Sequence, residues 1–317
     1  MSAPIPAAPV PALSLHVGNF RQDPGPWAAM FDKALAAEAA GIDRLMVSDH
    51  VVMGENLEEY GKPERGGMKG SVQPTTPEGQ WLEPLTVLSM IAGMTERVRL
   101  GTGILVAALR RPIVLAKTLA TLDVLSKGRI DLGIGVGWQK EEYDAAGLSY
   151  DNRGALLDDT LAILQASWTT MPTEHHSEFL DFERIYVSPQ PLQQGGVPIW
   201  VSGTINKRSL RRIGRFGSGW IPWGDDIANP AAGLAAIKQV LEENGRTMDG
   251  FRVQGSLMVR PDDAGKYDFA KAVAGVPQQV EAGITDFATT IVGLPVEKDA
   301  ATQVLGDLVS AFRKVAA

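Results

Sequence analysis

The sequence predicts one α/β domain folded as a closed (β/α)8 barrel of TIM type. Three observations predict it. Eight apolar, β-branched runs recur along the chain, eight amphipathic helical stretches alternate with them, and no shift of composition marks a domain boundary. Continuously apolar strands alternating with helices mean a parallel sheet covered on both faces. With eight of each, closure into a barrel is favoured over a doubly wound open sheet. The 317 residues are an ordinary length for such a barrel with insertions.

The elements follow in order. Residues 1–12, "MSAPIPAAPVPA", form a flexible Pro/Ala-rich lead-in without the basic start or apolar centre of a signal peptide, and the barrel domain spans 13–317. Strands are expected at 13–20, 43–50, 98–106, 129–137, 198–204, 217–223, 252–259 and 285–293. Helices are expected at 26–40, 84–96, 111–126, 154–168, 206–216, 230–244, 270–282 and 299–315. Two connections exceed what a simple barrel needs, 51–80 and 169–197, and long loops in a compact domain are usually lids or binding loops.

Hydrophobic residues make up 44% and charged residues 21%, the profile of a soluble globular protein with a large core. A net charge of −7 argues against nucleic acid or an anionic membrane surface as the main partner. No apolar run approaches the roughly 20 residues of a membrane span, so a cytoplasmic protein is expected. Cysteine is absent, which excludes disulfides, a thiolate nucleophile and cysteine-ligated metals.

In a barrel of this kind the active residues sit at the C-terminal ends of the strands. Those ends supply Asn19 and Phe20, Asp49 and His50, Thr102 to Val106, Gly135 to Trp138, Ser202 to Thr204, and Trp220 to Trp223. The set is rich in glycine, hydroxyl and aromatic groups and poor in carboxylates. In "RIDLGIGVGW" the glycines are spaced G-x-G-x-G, which fails the dinucleotide fingerprint G-x-G-x-x-G. Gly133, Gly135 and Gly137 either relieve crowding at the barrel mouth or let the backbone close on a ligand.

In "VSGTINKRSLRR" a strand ends in Ser202-Gly203-Thr204 and a helix begins near Asn206. Backbone N–H groups and a hydroxyl converge there, as an anion site requires, although a helix N-cap at Thr204 or Asn206 uses the same residues. Lys207 and Arg208 in the first turn oppose the helix dipole unless an anion compensates them; Arg208, Arg211, Arg212 and Arg215 share one helical face, which for the later arginines is equally a solvated face. A phosphate is therefore expected here.

His50 is one of four histidines, with His16, His175 and His176, and none has metal-ligand spacing, so no metal is assigned. Its place at a strand end favours a functional role. His175 and His176 fall in an expected surface hairpin and receive none. Trp138, Trp220 and Trp223 are either core aromatics or walls for a flat ring system. Glu141, Glu142 and Asp144 read as helix-start acids.

In order, "SDH", "LGTGILVAALRRPIVLAKTLATLDVLSKGRIDLGIGVGWQKEEYDAAG", "PIWVSGT" with its following arginines, and "GSGWIPW" resemble the luciferase-like monooxygenase superfamily. More narrowly they are similar to the branch that uses the deazaflavin coenzyme F-420. The resemblance covers about residues 13–295 and rests on four separated segments in order. It implies a (β/α)8 barrel holding F-420 or FMN at its C-terminal mouth. Asp49 and His50 then match the pair at the ring's reactive edge, with His50 as the candidate catalytic residue. Thr102, Gly103, Ile104 and Leu105 match the segment behind the ring, where family members often carry a non-prolyl cis bond, placed here at Gly103–Ile104. Gly135, Val136, Gly137 and Trp138 match the approach to the ribityl chain, and Ser202, Gly203 and Thr204 the phosphate cradle. Flavin-using members tend to place a phosphate-pairing arginine where this chain has Val136, which favours F-420.

The implied reaction is hydride transfer between F-420 and a small organic substrate. The alternatives are an FMN-dependent two-component monooxygenase and a non-catalytic flavin-binding barrel. A homodimer is compatible with the sequence, which names neither the contact surface nor the substrate.

Overall fold

The computed structural model describes residues 10–23, 25–62 and 70–316. Residues 1–9 of the expected lead-in lie outside the described residues. Eight parallel strands close into a barrel in the order β1, β12, β11, β10, β9, β6, β5, β3. They are β1 Ala12–His16, β3 Arg44–Val47, β5 Arg99–Thr102, β6 Ile130–Ile134, β9 Ile199–Gly203, β10 Gly217–Pro222, β11 Arg252–Val259 and β12 Asp286–Ile291. The intervening β2 Phe20–Arg21 pairs with β4 Gln80–Trp81, and β7 Thr173–His176 with β8 Asp181–Ile185, both antiparallel and outside the barrel. Unbroken burial along β3, β5 and β6 accounts for the absence of apolar–polar alternation in them, because helices cover them outside and side chains fill them inside.

The outer layer comprises α1 Ala28–Ala40, α2 Pro84–Met94, α3 Pro112–Leu125, α4 Lys140–Ala145, α5 Arg153–Thr169, α6 Lys207–Phe216, α7 Ala231–Glu243, α8 Phe269–Val273, α9 Val276–Glu281 and α10 Lys298–Val315. Pro84 and Pro112 open their helices at a position whose N–H would be unpaired anyway. The single helix expected at 270–282 is two, because Gly275 interrupts it and Pro277 restarts it in the first turn of α9. Most barrel strands are shorter than expected. β3 stops at Val47, β5 at Thr102 and β6 at Ile134, so Asp49, His50, Leu105 and Gly135 to Trp138 lie on the loops that follow.

The two insertions lie at opposite ends of the barrel. Of the first, the described residues 51–62 and 70–80 follow β3 and lie at the C-terminal mouth. Residues 169–197 precede β9, so they belong to the N-terminal face and are not a lid. There Gln193 donates to Asp123 Oδ1 at 2.8 Å and to the Ile130 carbonyl at 2.8 Å, and accepts from Arg99 at 3.0 Å.

Inside that same face lies a buried ionic cluster that the sequence reading did not anticipate. Arg44 donates to Asp131 Oδ2 at 2.8 Å and to Asp286 Oδ1 at 2.7 Å, and lies 4.4 Å over the Trp200 ring. Arg99 grips Asp131 with two bonds of 2.8 and 2.7 Å, and Arg252 approaches Asp286 at 3.4 Å. Burial alone pushes the Asp131 carboxyl up, but the Arg44 and Arg99 guanidiniums outweigh it and hold the group at about 2.

Candidate active site

The mouth is built from loops that follow β1, β3, β5, β6, β9 and β10. Its floor is the turn after β5, where the Gly103–Ile104 bond is cis. A Cβ on Gly103 would lie 2.7 Å from Met46 Cε and 3.1 Å from His16 Cε1, so a larger residue here would have to displace the end of the Met46 side chain and press on the His16 ring. Ile104 is half-buried, whereas Thr102 and Leu105 are buried. The Thr102 hydroxyl donates to the Gly133 carbonyl at 2.7 Å, so it ties β5 to β6 and is not offered to the mouth.

The glycines of "GIGVG" answer first to the protein itself. A Cβ on Gly133 would lie 2.1 Å from the Thr102 carbonyl oxygen, and one on Gly135 2.9 Å from Ile104 Cδ1. Gly137 adopts φ +70° with Val106 Cγ1 at 3.0 Å from its Cβ position. Crowding against the Thr102 backbone therefore requires Gly133 and the left-handed backbone favours Gly137, with or without a ligand, whereas Gly135 meets only the Ile104 side chain. Val136 remains half-buried at the turn.

Asp49 is placed differently from expectation. Its Oδ1 accepts from Arg110 at 2.9 Å, while Oδ2 accepts from the Val106 backbone at 2.8 Å and from Arg110 Nη1. Its side chain is fully buried, so it clamps the β3 loop to the β5 loop and leaves no free oxygen toward a ring.

His50 stands next to it with a different set of neighbours. Nδ1 lies 3.3 Å from Glu142 Oε1, outside hydrogen-bond geometry, and Nε2 lies 3.2 Å from Gln73 Nε2. The ring meets Trp81 edge-on at 4.6 Å and Trp138 at 6.0 Å. Glu142 is not a solvated helix-start acid: it is buried, and its Oε1 accepts from the Val51 backbone at 2.8 Å. Glu141 and Asp144 stay outside, Asp144 paired with Lys140 at 2.5 Å. Several buried polar atoms around this region have no hydrogen-bond partner: His50 Nδ1, Gln73 Oε1, Glu142 Oε2, and the indole nitrogens of Trp138 and Trp223. Buried polar atoms are nearly always paired, so such a concentration marks a place where a polar ligand completes the set. Trp220 is not part of it, being fully buried with its Nε1 donating to the Gly203 carbonyl at 2.9 Å.

His16 is the other imidazole here. Burial, with Lys33 adding to it, lowers its pKa to about 4. Lys33 donates to the His16 carbonyl at 2.9 Å and is itself lowered to about 8 by burial. An unfolded chain binds the His16 proton more readily than the fold does. Neutral His16 therefore contributes its full stability above about pH 6.5 and loses it as pH falls toward about 4. Urea unfolding of His16→Gln at pH 7 and 4.5 is expected to show a smaller drop than wild type. An equal drop in both proteins would refute this assignment.

The Ser202–Thr204 turn closes the far side. Gly203 has φ +134° and nothing within 4 Å of a Cβ position, so it faces open space. The adjoining N–H groups are largely spoken for: Ile205 N donates to Asp226 at 2.7 Å, and Arg208 N and Ser209 N to Asn206 Oδ1 at 2.9 and 3.1 Å. Asn206 and Ser209 form a reciprocal capping box. The arginine face is also divided. Arg211 and Arg212 pair with Asp158 of α5, and Arg215 lies over Phe216, which leaves Lys207 and Arg208 exposed beside the turn. His175 and His176 lie in the β7–β8 hairpin and pair with Asp159 and Asp181.

Fold and site together define a (β/α)8 barrel whose mouth offers an apolar floor, aromatic walls and unpaired polar atoms. A family profile, luciferase-like monooxygenase, matches residues 12–266, and the chain belongs to that family. A Mycobacterium tuberculosis protein of uncharacterised function is 32% identical over 182 residues, 57% of this chain and 62% of that protein. The oxygenase component of a flavin-dependent trigonelline monooxygenase from Acinetobacter baylyi is 37% identical over 121 residues, 38% of this chain and 33% of its own. In fold the chain is similar to an F420-dependent secondary alcohol dehydrogenase solved with an F420–acetone adduct. That match has a TM-score of 0.72 and 14% identity, covering 96% and 99% of the two chains. Among the described residues no cluster of His, Asp and Glu could hold a metal ion, and no helix is long and apolar enough to cross a membrane.

Proposed function

We propose that this protein transfers hydride between coenzyme F-420 and a small organic substrate, with His50 managing the accompanying proton. The observation that carries the choice of coenzyme is the Ser202–Thr204 turn. Three neighbouring N–H groups are already bonded, the Asp226 carboxylate lies alongside, and Val136 brings no positive charge. A terminal phosphate dianion such as that of FMN would meet this carboxylate with few free donors. A singly charged phosphodiester whose tail continues outward past exposed Lys207 and Arg208 suits it better.

The residues fit such a group. The cis turn at Gly103–Ile104 and half-buried Val136 supply an apolar bed, and Gly203 leaves room at the phosphate end. The free indole N–H groups of Trp138 and Trp223 and the free Oε1 of Gln73 suit the carbonyl and N–H groups of a flavin-type pyrimidine ring. When bound, a 5-deazaflavin supplies hydride chemistry at C5 and reacts poorly with oxygen. The protein's own part is placement, exclusion of water and proton handling. Tyr60 from the 51–80 loop packs edge-on against Trp138 at 5.5 Å, which shields the His50 side of the mouth.

An FMN-dependent monooxygenase is the second reading, favoured by the short match to the flavin-dependent relative. Fluorescence titration separates the two. F-420 is expected to bind at least about tenfold more tightly than FMN, a difference of about 1.4 kcal/mol. Equal affinities, or tighter binding of FMN, would overturn the choice of F-420 and leave the family assignment standing.

A further inference from the structure

We infer that Glu142 and Gln73 are positioning residues that hold neutral His50 in its Nδ1–H form, with the Nε2 lone pair as its basic face. The two neighbours impose the same choice independently. Glu142 presents a carboxylate oxygen, which can only accept, 3.3 Å from Nδ1. Gln73 presents its amide nitrogen, which can only donate, 3.2 Å from Nε2. With the proton on Nε2 instead, an N–H would confront an NH2 group and a lone pair would confront a carboxylate.

Each partner is itself held. Glu142 is oriented by the Val51 N–H on Oε1. The Gln73 amide nitrogen also faces Met53 Sδ at 3.9 Å, a weak acceptor that favours the same orientation of the amide. Met53 is fixed in turn by Gln139 Nε2 at 3.3 Å, and Gln139 Oε1 accepts from the Gly54 N–H at 2.8 Å. The chain of contacts therefore runs from α4 through the start of the 51–80 loop to Gln73 and back to His50. Other charged groups nearby are already committed, Asp49 to Arg110 and Glu141 to Asn56 at 2.5 Å.

The consequence for chemistry rests on His50 being the proton-handling group. A base is useful only if its lone pair is the nitrogen that a reacting group can reach. Gln73 is the group that meets Nε2 now, so a substrate hydroxyl or water that takes the place of its NH2 group finds an acceptor already formed. Glu142 at the opposite nitrogen stabilises the imidazolium when the proton arrives. The 51–80 loop thus contributes to the site through one amide, which gives that insertion a defined part in it.

The test needs no cofactor, so its outcome is separate from the choice of F-420. With only four histidines in the chain, 15N-histidine labelling gives an assignable set of ring signals. At pH 9, long-range 1H–15N correlation should show His50 with a pyrrole-type Nδ1 and a pyridine-type Nε2. In water a free histidine side chain prefers the opposite form. Glu142→Ala should lower the Nδ1–H to Nε2–H ratio at least about tenfold, since the negative charge that faces Nδ1 at 3.3 Å is lost. Gln73→Leu, a change on a loop, should shift the ratio the same way by less, with the His175 and His176 signals unmoved as a check on folding. If Glu142→Ala fails to fold, wild type and Gln73→Leu decide the matter. A wild-type His50 carrying its proton on Nε2, or folded variants that keep the wild-type ratio, would overturn the inference.

Discussion

Asp131→Ala is expected to lower the free energy of unfolding by about 3–5 kcal/mol, the usual cost of removing one partner from a buried ion pair. The cost arises on the other side of the pair. Arg44 would keep Asp286 as its only carboxylate, with the Ser14 hydroxyl, and Arg99 would keep the Gly128 and Ile130 carbonyls and Gln193, none of which is a full negative charge. Arg44 and Arg252 would then share one carboxylate inside the barrel, and Arg99 would face none. Urea denaturation at pH 7 measures the effect directly. A loss below about 1 kcal/mol would mean that the cluster relaxes into water, contrary to its burial. The double change Arg99→Met with Asp131→Leu provides the control, since Arg44 keeps Asp286. It removes a charge of each sign together, and should recover a large part of the loss, because apolar replacements of whole buried pairs are often tolerated. The pH dependence has a definite sign. Asp131 is held at about 2, below its ordinary 3.8, so its contribution is complete above about pH 4 and disappears as pH falls toward 2. Asp286 moves the other way, raised by burial despite Arg44 and Arg252, and offsets part of that slope.

This cluster also shows how much of the fold was legible in the sequence. The barrel was legible because its strands are buried on both faces and therefore continuously apolar, a pattern that survives without any neighbour being known. The cluster left a trace as well. Charged residues stand at or near the start of several of those runs, in "DRLMV", "VRLGT", "RIDLG" and "TDFATT". Each alone reads as a solvated strand end, and only closure of the sheet brings them together. The site divides in the same way. The place of Gly103, His50 and Ser202–Thr204 at the barrel mouth was legible because they stand at the C-terminal ends of strands or just after them. Glu142 read as a helix-start acid and does stand in the first turn of α4, but its burial beside Tyr143 and the N-cap Gln139 was not visible in the sequence. Gln73 left no trace. Its loop has no periodicity, and its contact with His50 depends on a tertiary path through Met53 and Gln139. The arginines of α6 misled for a related reason: a shared helical face was visible, but Asp158, the group that two of them face, lies on another helix.

His50→Ala should lower turnover at saturating cofactor by about 10² to 10⁴, the range typical of a positioned general acid or base, or about 3–5 kcal/mol in the barrier. Only an interaction stronger in the transition state than in the ground state affects turnover in this way, so cofactor affinity should change much less. The geometry supports that division. Among ring-edge candidates, Asp49 has no oxygen to spare, whereas His50 has one nitrogen facing a carboxylate and the other facing a displaceable amide. The competing account is that His50 merely packs between Trp81 and Trp138 and shapes the pocket wall. Alanine would then weaken cofactor binding and leave turnover at saturation nearly intact. Turnover measured from pH 5.5 to 9 separates the two. Proton handling predicts a wild-type profile with an inflection that the alanine variant lacks, and partial recovery of the variant by added imidazole, since a small base can enter the space the side chain leaves. A flat wild-type profile together with unchanged turnover in His50→Ala would remove the catalytic role. Restored turnover with imidazole but not with a buffer of similar size lacking a basic nitrogen would tie the loss to the proton rather than to the cavity.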